Sequence, residues 1–506
     1  MEPTGLLRDP RFRRAVAAIQ LRAEKQTEWD KLEQVFVRSD LLDRVESPDS
    51  QLVLGRRGTG KTHLLRVFAK DALSHGESAL YIDLTQLGSG YSGLDIAPRV
   101  VAQKYFIAFL NQLGSELLEL VASMELAEIS RQDEVFGTLT HGFTPIPEPQ
   151  RDGHSATFDY RTIAASIEGV LSKVGVKRLY IILDEWALVP FEAQPYLGEY
   201  LKRAVLSVPQ ISAKILAVNY QCQFAKRVGS DLIGLERGAD IPNVIDMDRY
   251  LVFDEKRDYV PMFFGQVLYN HVGVALSWEM ELSAAEKLTH VQRLFTHAKA
   301  FEELVRAAEG NCRDFLCIFT RAFFDEFRQS TESKSISIPN VVKAAISWFD
   351  QEKAANVYAE EAARETLAFL MERVLKGYKA RTFLVESTKA EHPRLVRLLN
   401  ERVLHRLSGT YHHPDRPGIR HDLFTVDYGA FVRLRGTINE IREEVFWEMD
   451  DPDRLTPSDR NLMVPVDDKR SIRRITFDPD TVSVTGYRPE IREDSPQQRK
   501  LFVDSE

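Results

Sequence analysis

The chain has 506 residues, of which 44% are hydrophobic and 28% are charged, and its formal net charge is −9. At roughly 100–200 residues per domain, this length predicts several globular domains. The acidic balance excludes a uniformly basic nucleic-acid coat, but it is compatible with a local basic face.

The cysteines and the apolar segments bear on where the protein works. Cys222, Cys312 and Cys317 have neither metal-ligand spacing nor the number that a disulfide framework needs, which predicts a reducing compartment. The first residues lack the apolar core of a signal peptide. No apolar run reaches the roughly 18 residues of a membrane span. The sequence therefore predicts a cytoplasmic protein without membrane association.

The first part of the chain alternates helical and extended patterns. Residues 11–48 have a polar, helical pattern, and an apolar strand follows at 51–54. A glycine-rich turn then leads into a predicted helix at 62–72 and a second strand at 79–84. Apolar residues recur at three- and four-residue steps through 96–130, which predicts a long helix.

The alternation continues and then stops. Prolines and glycines at 141–155 predict an exposed loop or insertion. A helix is predicted at 162–174, followed by strands at 178–183 and 214–218. Strands that alternate with helices in this way predict a parallel sheet covered on both faces. Residues 256–352 have helical patterns only.

Residues 55–62 fit the pattern G-x-x-x-x-G-K-[ST] of a phosphate-binding loop. Glycines at both ends let successive N–H groups point inward at one anion, and the helix that follows adds its positive end. In such loops the lysine, here Lys61, reaches the β- and γ-phosphates, and the hydroxyl of Thr62 binds Mg²⁺. A chance match is the alternative, but the preceding strand and following helix favour a true site. The predicted phosphate contacts are Gly55, Gly58, Thr59, Gly60, Lys61, Thr62 and His63.

Polar residues follow two of the later strands. Asp184 and Glu185 end the strand at 178–183, where α/β folds bind their ligands. Asp184 is predicted to hold Mg²⁺, and Glu185 to act as the general base on water. The alternative is an ordinary strand end with solvated carboxylates. Asn219 follows the next strand and is predicted to contact the attacking water or the γ-phosphate, although asparagine there is also a common turn residue.

These segments, in this order, resemble the motifs of AAA+ ATPases. The resemblance lies in residues 55–62, 179–185 and 214–219, and a further segment at 309–323 looks like the sensor-2 helix of the origin-recognition, or initiator, clade. It extends over about residues 36–350. It implies ATP and Mg²⁺ as ligands, ATP hydrolysis and assembly into a homo-oligomer.

The resemblance also implies roles for two arginines. Arg313 would be the sensor-2 arginine, which reaches the γ-phosphate from a separate lid; the alternative is a surface arginine on a lid helix. An arginine finger from a neighbouring subunit would stabilise charge in the transition state. Its candidates are Arg227 and Arg237. Arg237 is preferred because it precedes the predicted last strand, at 244–253.

Together these features predict an α/β fold: a parallel-sheet P-loop NTPase (AAA+) core with an all-helical lid and an α+β winged-helix domain. The predicted divisions are a helical segment at 1–48, the core at 49–255, the lid at 256–352, the winged helix at 353–440 and an extension at 441–506. The extension is assigned no function, although residues 474–477 and 481–485 are predicted to form a hairpin.

Basic residues concentrate near the C-terminal end of the chain. Residues 373–435 hold 13 lysines and arginines against six acids. A helix at 357–376, a strand at 382–385, a helix at 393–402 and strands at 403–411 and 422–426 predict the winged helix. The predicted contacts with double-stranded DNA are Arg394, Arg397, Arg416 and Arg420. The alternative is a winged helix that binds protein.

Three classes of function compete at this point. The first is an ATPase that couples hydrolysis to oligomer assembly or remodelling on DNA. The second is a nucleotide-dependent switch or scaffold that controls a partner effector protein, for example in bacterial phage defence. The third is a kinase or other phosphotransferase with a P-loop. The Arg313 lid helix and the Asp184–Glu185 pair disfavour it, because a kinase has no need of a water-activating glutamate.

Overall fold

The computed structural model describes residues 7–21, 29–87, 96–123, 157–251, 258–329, 334–377, 381–412, 418–435 and 476–482. The chain divides into two compact units, Met1–Ala345 and Ile346–Glu506. The predicted loop at 141–155 lies outside the described residues.

The first unit is built on a parallel sheet. Its strands, in chain order, are β1 (Gln51–Leu54), β2 (Ser78–Asp83), β3 (Leu179–Asp184), β4 (Ile211–Ala217), β5 (Ala225–Val228), β6 (Asp231–Gly234) and β7 (Asn243–Asp246). Five of them form one parallel sheet in the order β2-β3-β4-β1-β7. β1 therefore lies inside the sheet, and Leu52 pairs with Ile215 on one side and Val244 on the other.

Helices surround this sheet and then continue as a helical segment. They are α1 (Pro10–Ala17), α2 (Trp29–Val35), α3 (Asp40–Val45), α4 (Lys61–Ser74), α5 (Pro98–Ser123), α6 (Tyr160–Val174), α7 (Gln194–Ala204), α8 (Tyr259–Leu276), α9 (Ala284–Gln292), α10 (Ala298–Ala307), α11 (Cys312–Gln329) and α12 (Ile338–Trp348). The predicted α/β core followed by helices is confirmed. Residues 11–48 were predicted as broadly helical, and their described parts, 11–21 and 29–48, hold three short helices.

The core of the sheet follows from its sequence. Every residue of β3 and β4 is buried, as expected for parallel strands covered on both faces. α6 begins where the Asp159 carboxylate accepts a hydrogen bond from the Thr162 N–H, and it ends at Gly175, whose φ is 77°. Capping at both ends explains why this helix has defined limits.

Two features near the last strand differ from the predictions. The strand predicted at 244–253 ends at Asp246, because the Asp246 carboxylate accepts the N–H of Asp248 and turns the chain into a 3₁₀ turn at Met247–Arg249. The antiparallel hairpin of β5 and β6 was not predicted. It places Arg227 on a strand.

The helical segment after β7 contains one short extended contact. Phe295 and Ile336 form a parallel bridge, so residues 256–352 are not purely helical. α9 begins with a capping box in which Ser283 and Glu286 satisfy each other's backbone N–H groups. Gly310 precedes α11 with φ 73°, and a Cβ there would lie 2.5 Å from the Leu251 carbonyl oxygen.

The second unit combines helices with a small antiparallel sheet. Its elements after the end of α12 are α13 (Ala354–Tyr358), α14 (Glu361–Leu370), β8 (Thr382–Glu386), α15 (Pro393–Asn400), β9 (Leu404–His412), β10 (Arg420–Val426) and α16 (Tyr428–Arg435). The strands have the order β8-β10-β9. A buried ion pair joins Lys353 to Asp427 at 2.7 Å, and His405 lies 3.0 Å from the same carboxylate.

Predictions for this unit hold in part. The single helix predicted at 357–376 is broken, because Glu360 has an extended backbone before α14 begins. Thr476 bridges Leu384 of β8, and a 3₁₀ turn follows at Pro479–Thr481; residues 474–475 and 483–485 of the predicted hairpin lie outside the described residues. In the described part of the chain, no helix combines the length and the apolar character that a membrane span requires.

Candidate active site

A cleft of about 930 Å³ opens in the first unit beside the phosphate-loop motif. One part of its wall is polar and comes from the loop, the start of α4 and the ends of β2 and β3. The other part is mostly apolar and comes from residues 18–21, α2, α8 and α11. A single cleft thus joins the predicted phosphate contacts to an apolar surface.

The loop at 55–60 has a left-handed backbone at Gly60, as expected, and at Gly58, but not at Gly55. Gly58 and Gly60 have φ values of 94° and 96°, in the left-handed region that favours glycine. The Lys61 ammonium donates to the carbonyl oxygens of Gly55 at 2.6 Å and Arg56 at 3.1 Å. Burial lowers the pKa of Lys61, although nearby acids, Asp248 first among them, oppose this shift. The motif therefore forms a compact loop closed by its own lysine.

Asp184 connects the loop to the sheet. Its Oδ2 accepts a hydrogen bond from the Thr62 hydroxyl at 2.8 Å. The Tyr81 hydroxyl, from β2, donates to the same oxygen, and the Glu185 N–H donates to Oδ1 at 2.7 Å. Asp184 is only 5% exposed. The two predicted metal ligands, Thr62 and Asp184, are thus in direct contact and offer the hard oxygen atoms that Mg²⁺ binds.

Glu185 lies next to this contact and lines the cleft. Its φ of 58° puts it in the left-handed region at the end of β3, an uncommon conformation for a residue other than glycine. Burial raises the pKa of its carboxyl group, and the negative charge of Asp184 raises it further. The arrangement suits a carboxylate that takes up a proton.

Asn219 stands after β4, at the same edge of the sheet as Asp184. Its side-chain amide donates to Asp246 Oδ2 at 3.4 Å. Burial raises the pKa of Asp246, and the charge of Asp248 adds to that effect. Val218, the residue before Asn219, lines the cleft. The structure therefore places Asn219 beside the cleft and fixes its amide to the end of β7.

Residues at the start of α11 donate hydrogen bonds to main-chain carbonyls of the phosphate loop. The Arg313 N–H donates to the Gly58 carbonyl at 3.1 Å, and the Asn311 side-chain amide donates to the Arg57 carbonyl at 2.8 Å. A Cβ on Gly58 would lie 2.5 Å from Asn311 Oδ1 and 2.7 Å from Arg313 Cβ. The approach therefore requires glycine at 58. Arg313 lines the cleft, as its predicted role requires.

A second connection between loop and helices runs through Arg56. Its Nε donates to Asp248 Oδ1 at 2.9 Å, and its guanidinium reaches the Glu309 carbonyl at 3.4 Å. Burial alone would raise the pKa of Asp248, but the charge and hydrogen bonds of Arg56 hold it below its usual value. One loop residue thus contacts both the end of the sheet and the turn before α11.

Comparison with known proteins adds to this geometry. Residues 20–88, which include the loop, α4 and β2, match the family model described as ORC-CDC6-like. The chain resembles AAA+ ATPases of the origin-recognition type. No curated protein matches the chain.

Solved structures similar to this chain share little sequence with it. The Holliday junction branch migration motor RuvB from Thermotoga maritima is 11% identical, with 80% of this chain and 93% of that one covered and a TM-score of 0.32. The Drosophila ORC bound to DNA is 11% identical, with 82% and 94% covered and a TM-score of 0.29. The Aeropyrum pernix ORC1 protein in complex with DNA is 11% identical, with 84% and 96% covered and a TM-score of 0.27. Such scores establish no correspondence between individual residues.

His63, predicted as a phosphate contact, bonds away from the loop. Its Nε2 lies 2.7 Å from the Leu32 carbonyl oxygen, and its ring packs 5.0 Å from that of Phe36. Burial lowers the pKa of His63 to about 4, so the ring is neutral near pH 7. His63 therefore joins the start of α4 to the segment before β1, while still lining the cleft.

The arginine-finger candidates lie away from the cleft-lining residues. Arg237 follows β6, and its guanidinium lies 5.3 Å from the ring centre of Phe224. It also forms an isolated bridge with Ile241. Arg227 is exposed on β5. A finger acts on a neighbouring subunit's site, so both positions leave that prediction open.

The arginines predicted to bind DNA are in different situations within the second unit. Arg394 is 16% exposed, lies 3.6 Å from Glu365 and donates to the Ala362 carbonyl at 3.3 Å. Arg397 pairs with Glu360 and Glu401, each at 2.7 Å. Arg420 is exposed. Arg416 lies outside the described residues.

Sequence reasoning missed three residues of the cleft region. Tyr81 received no role beyond its place in the predicted strand at 79–84. Asn311 lies inside the sensor-2-like segment. Its short amide side chain, just before α11, could have indicated a helix N-cap. Asp248 carried no signal, since its partner Arg56 is 192 residues away.

Proposed function

We propose that the first unit binds ATP with Mg²⁺ in its cleft and hydrolyses it to ADP and phosphate. The observation that carries this proposal is the 2.8 Å hydrogen bond between the Thr62 hydroxyl and Asp184. It brings the end of a phosphate loop and the acidic end of a buried strand to one place. The glycine-rich loop before α4 supplies the N–H groups that hold phosphate oxygens.

The side chains divide the chemistry among them. Thr62 and Asp184 would hold Mg²⁺, which when bound neutralises negative charge on the phosphate oxygens. Lys61 would exchange the Gly55 and Arg56 carbonyls for phosphate oxygens. Glu185 would orient a water molecule and accept its proton, and its raised pKa brings it closer to neutral pH. Asn219 would contact that water from the next strand.

Contacts from α11 would make the lid sensitive to the nucleotide. The Arg313 N–H and the Asn311 amide bond to loop carbonyls, so a change in the loop changes the support of the helix. The Arg313 guanidinium would reach the γ-phosphate from this helix. Loss of that phosphate would remove one of the bonds that hold the helix in place.

Two variants test the proposal. Glu185→Gln keeps the shape of the side chain but removes the base, so ATP binding should persist while turnover falls about 10²–10⁴-fold. Lys61→Ala should weaken binding of MgATP itself. Lys70→Ala is a matched control, because Lys70 lies on the same helix and pairs at the surface with Glu33. Calorimetry and phosphate release measure both properties; unchanged turnover in Glu185→Gln would contradict the proposal.

We further propose that the protein acts on DNA as a homo-oligomer, with Arg237 entering a neighbour's site. The second unit supports a winged helix, because an antiparallel sheet of three strands follows two helices and holds α15 between β8 and β9. The basic excess of residues 373–435 supports contact with phosphates through Arg394, Arg397, Arg416 and Arg420.

A nucleotide-dependent switch that controls a partner effector is the second candidate. One observation favours it: Arg394 and Arg397 are already paired with acids of their own unit, which lowers the charge they offer to DNA. The bonds between α11 and the phosphate loop suit a switch as well as a motor.

Duplex DNA separates the two candidates. ATP turnover and solution mass are measured with and without duplex at low salt, and the binding slope against salt reports how many phosphates are contacted. An ATPase that works on DNA should bind the duplex. Its solution mass and its rate of ATP turnover should both change when the duplex is present. A switch should show DNA-independent turnover, and its output should survive Glu185→Gln but not Lys61→Ala.

A further inference from the structure

We propose that His271 makes the cleft select 6-aminopurines over 6-oxopurines, by accepting a hydrogen bond at Nε2 from the 6-amino group of adenine. The inference rests on the proposed ATP binding and names the residue that sets its base specificity. It concerns the apolar part of the wall of the cleft.

The apolar wall has the character of a base-binding surface. Its apolar residues include Ile19, Leu21, Leu32, Val35, Val274 and Leu316. A purine ring is flat and mostly apolar, so such a wall binds it without discriminating between bases. Discrimination between bases needs a polar group that is fixed as either a hydrogen-bond donor or a hydrogen-bond acceptor. His271, on α8, lines this wall.

The hydrogen bond of His271 fixes its tautomer. Nδ1 lies 2.8 Å from the Val267 carbonyl oxygen, one turn earlier in α8. A carbonyl oxygen can only accept, so Nδ1 carries the proton. Burial lowers the pKa of the ring, which keeps the second proton off at neutral pH. Nε2 is therefore an acceptor, and the structure gives it no hydrogen bond to any described residue.

The neighbours of His271 hold it in place. The preceding residue, Asn270, donates to the Phe36 carbonyl at 3.2 Å and accepts from Lys287 at 3.0 Å. These bonds tie α8 to the segment before β1 and to α9. His63 packs against Phe36 of that segment and uses its own Nε2 on the Leu32 carbonyl. The N–H of each ring is thus donated to a backbone carbonyl.

An acceptor at this place distinguishes purines by their sixth position. Adenine has an amino group there and donates, whereas guanine and hypoxanthine have a carbonyl oxygen and accept. A lone pair facing a carbonyl oxygen leaves both without a partner, which is costly inside a protein. Burying the site under a base makes this difference worth about tenfold to 100-fold in affinity.

Equilibrium binding to the full chain carrying Glu185→Gln tests the inference without turnover. MgATP, MgITP and magnesium purine riboside triphosphate, which lacks the 6-amino group, are compared. ATP should bind at least about tenfold more tightly than either analogue. His271→Leu should abolish this preference by weakening ATP alone. His297→Leu, which removes an exposed histidine of the same helical segment, should leave it unchanged.

A second variant keeps the inference testable if His271→Leu fails to fold. His271→Gln offers both an acceptor and a donor, so it should bind ATP and also admit ITP. A preference unchanged in both variants, or an absence of preference in the parent chain while ATP binds, would overturn the inference but leave the proposed function standing. Failure of all three triphosphates to bind would instead overturn the proposed function.

Discussion

The cleft of the first unit and the helix α15 of the second unit both collect charged side chains, but those charges are differently arranged. In the cleft, Lys61 donates to backbone carbonyls, and Asp184 accepts from neutral hydroxyl groups. On α15, Arg394 and Arg397 face carboxylates of their own unit. The first arrangement can exchange its partners for those of a ligand, whereas in the second a ligand must compete with acids already in place.

A count of charged residues therefore does not show how well a region can bind a charged ligand. Exchanging a carbonyl for a phosphate brings a cation next to an anion, which is a gain. Exchanging a carboxylate for a phosphate replaces one ion pair by another, so the gain is small. The predictions below test this difference, beginning with the largest expected effect.

Removing a buried ion pair beside the cleft should have the largest effect. Arg56→Ala leaves Asp248 buried without its partner, and the free energy of unfolding should fall by about 3–5 kcal/mol. Urea unfolding of the full chain measures this. The double variant Arg56→Ala, Asp248→Ala should lose less, because no buried charge is left alone; equal losses would show that the pair contributes only packing.

The pH dependence of turnover should show the raised pKa that burial gives Glu185. A general base must be ionised, and a raised pKa keeps Glu185 protonated up to a higher pH than usual. The acidic limb of kcat/KM should therefore lie above pH 4.5, the ordinary value, and activity should fall about tenfold for each pH unit below it. A limb at or below that value would contradict the role of burial.

Removal of one hydroxyl tests how Asp184 is held. Tyr81→Phe deletes a donor to that carboxylate while Thr62 remains, so MgATP binding should weaken by about 0.5–1.5 kcal/mol, with the loss largest at low Mg²⁺. Tyr180→Phe is the matched control, since its hydroxyl faces Glu77 instead. Equal effects from the two variants would remove Tyr81 from the site.

The arginines of α15 should affect stability and not nucleotide binding. Arg397→Ala breaks an ion pair whose arginine side chain is 36% exposed, so screening limits the loss of stability to about 1 kcal/mol or less. Arg394→Ala should cost about 1–3 kcal/mol, because its guanidinium is mostly buried. Urea unfolding measures both. If either variant weakened duplex binding while stability was unchanged, the arginine would be a DNA contact.

The part of the site that was predictable follows from local rules. A glycine-rich loop between a strand and a helix forces the backbone around Lys61, and the carboxyl ends of parallel strands meet at one edge. Asp184 and Thr62 meet for that reason. The parallel sheet itself was predictable from the alternation of patterns, because each buried strand is a short apolar run.

The parts that were missed depend on contacts between distant residues. Tyr81 and Asp184 are 103 residues apart, and the bond between them reflects how β2 pairs with β3. The last strand ends early because one carboxylate, that of Asp246, caps a turn. Two of the acids that pair with the arginines of α15, Glu360 and Glu365, come from the region of α14, so the spacing of arginines along α15 could not reveal them.

Gly58 has a practical consequence. The loop and α11 approach so closely there that only a residue without a side chain fits between them. Gly58→Ala would add a methyl group between the loop and α11. It should push the helix away from the loop without altering any charged group. Under the proposed function, this variant would test whether a nucleotide bound at the loop acts on the helices through this contact.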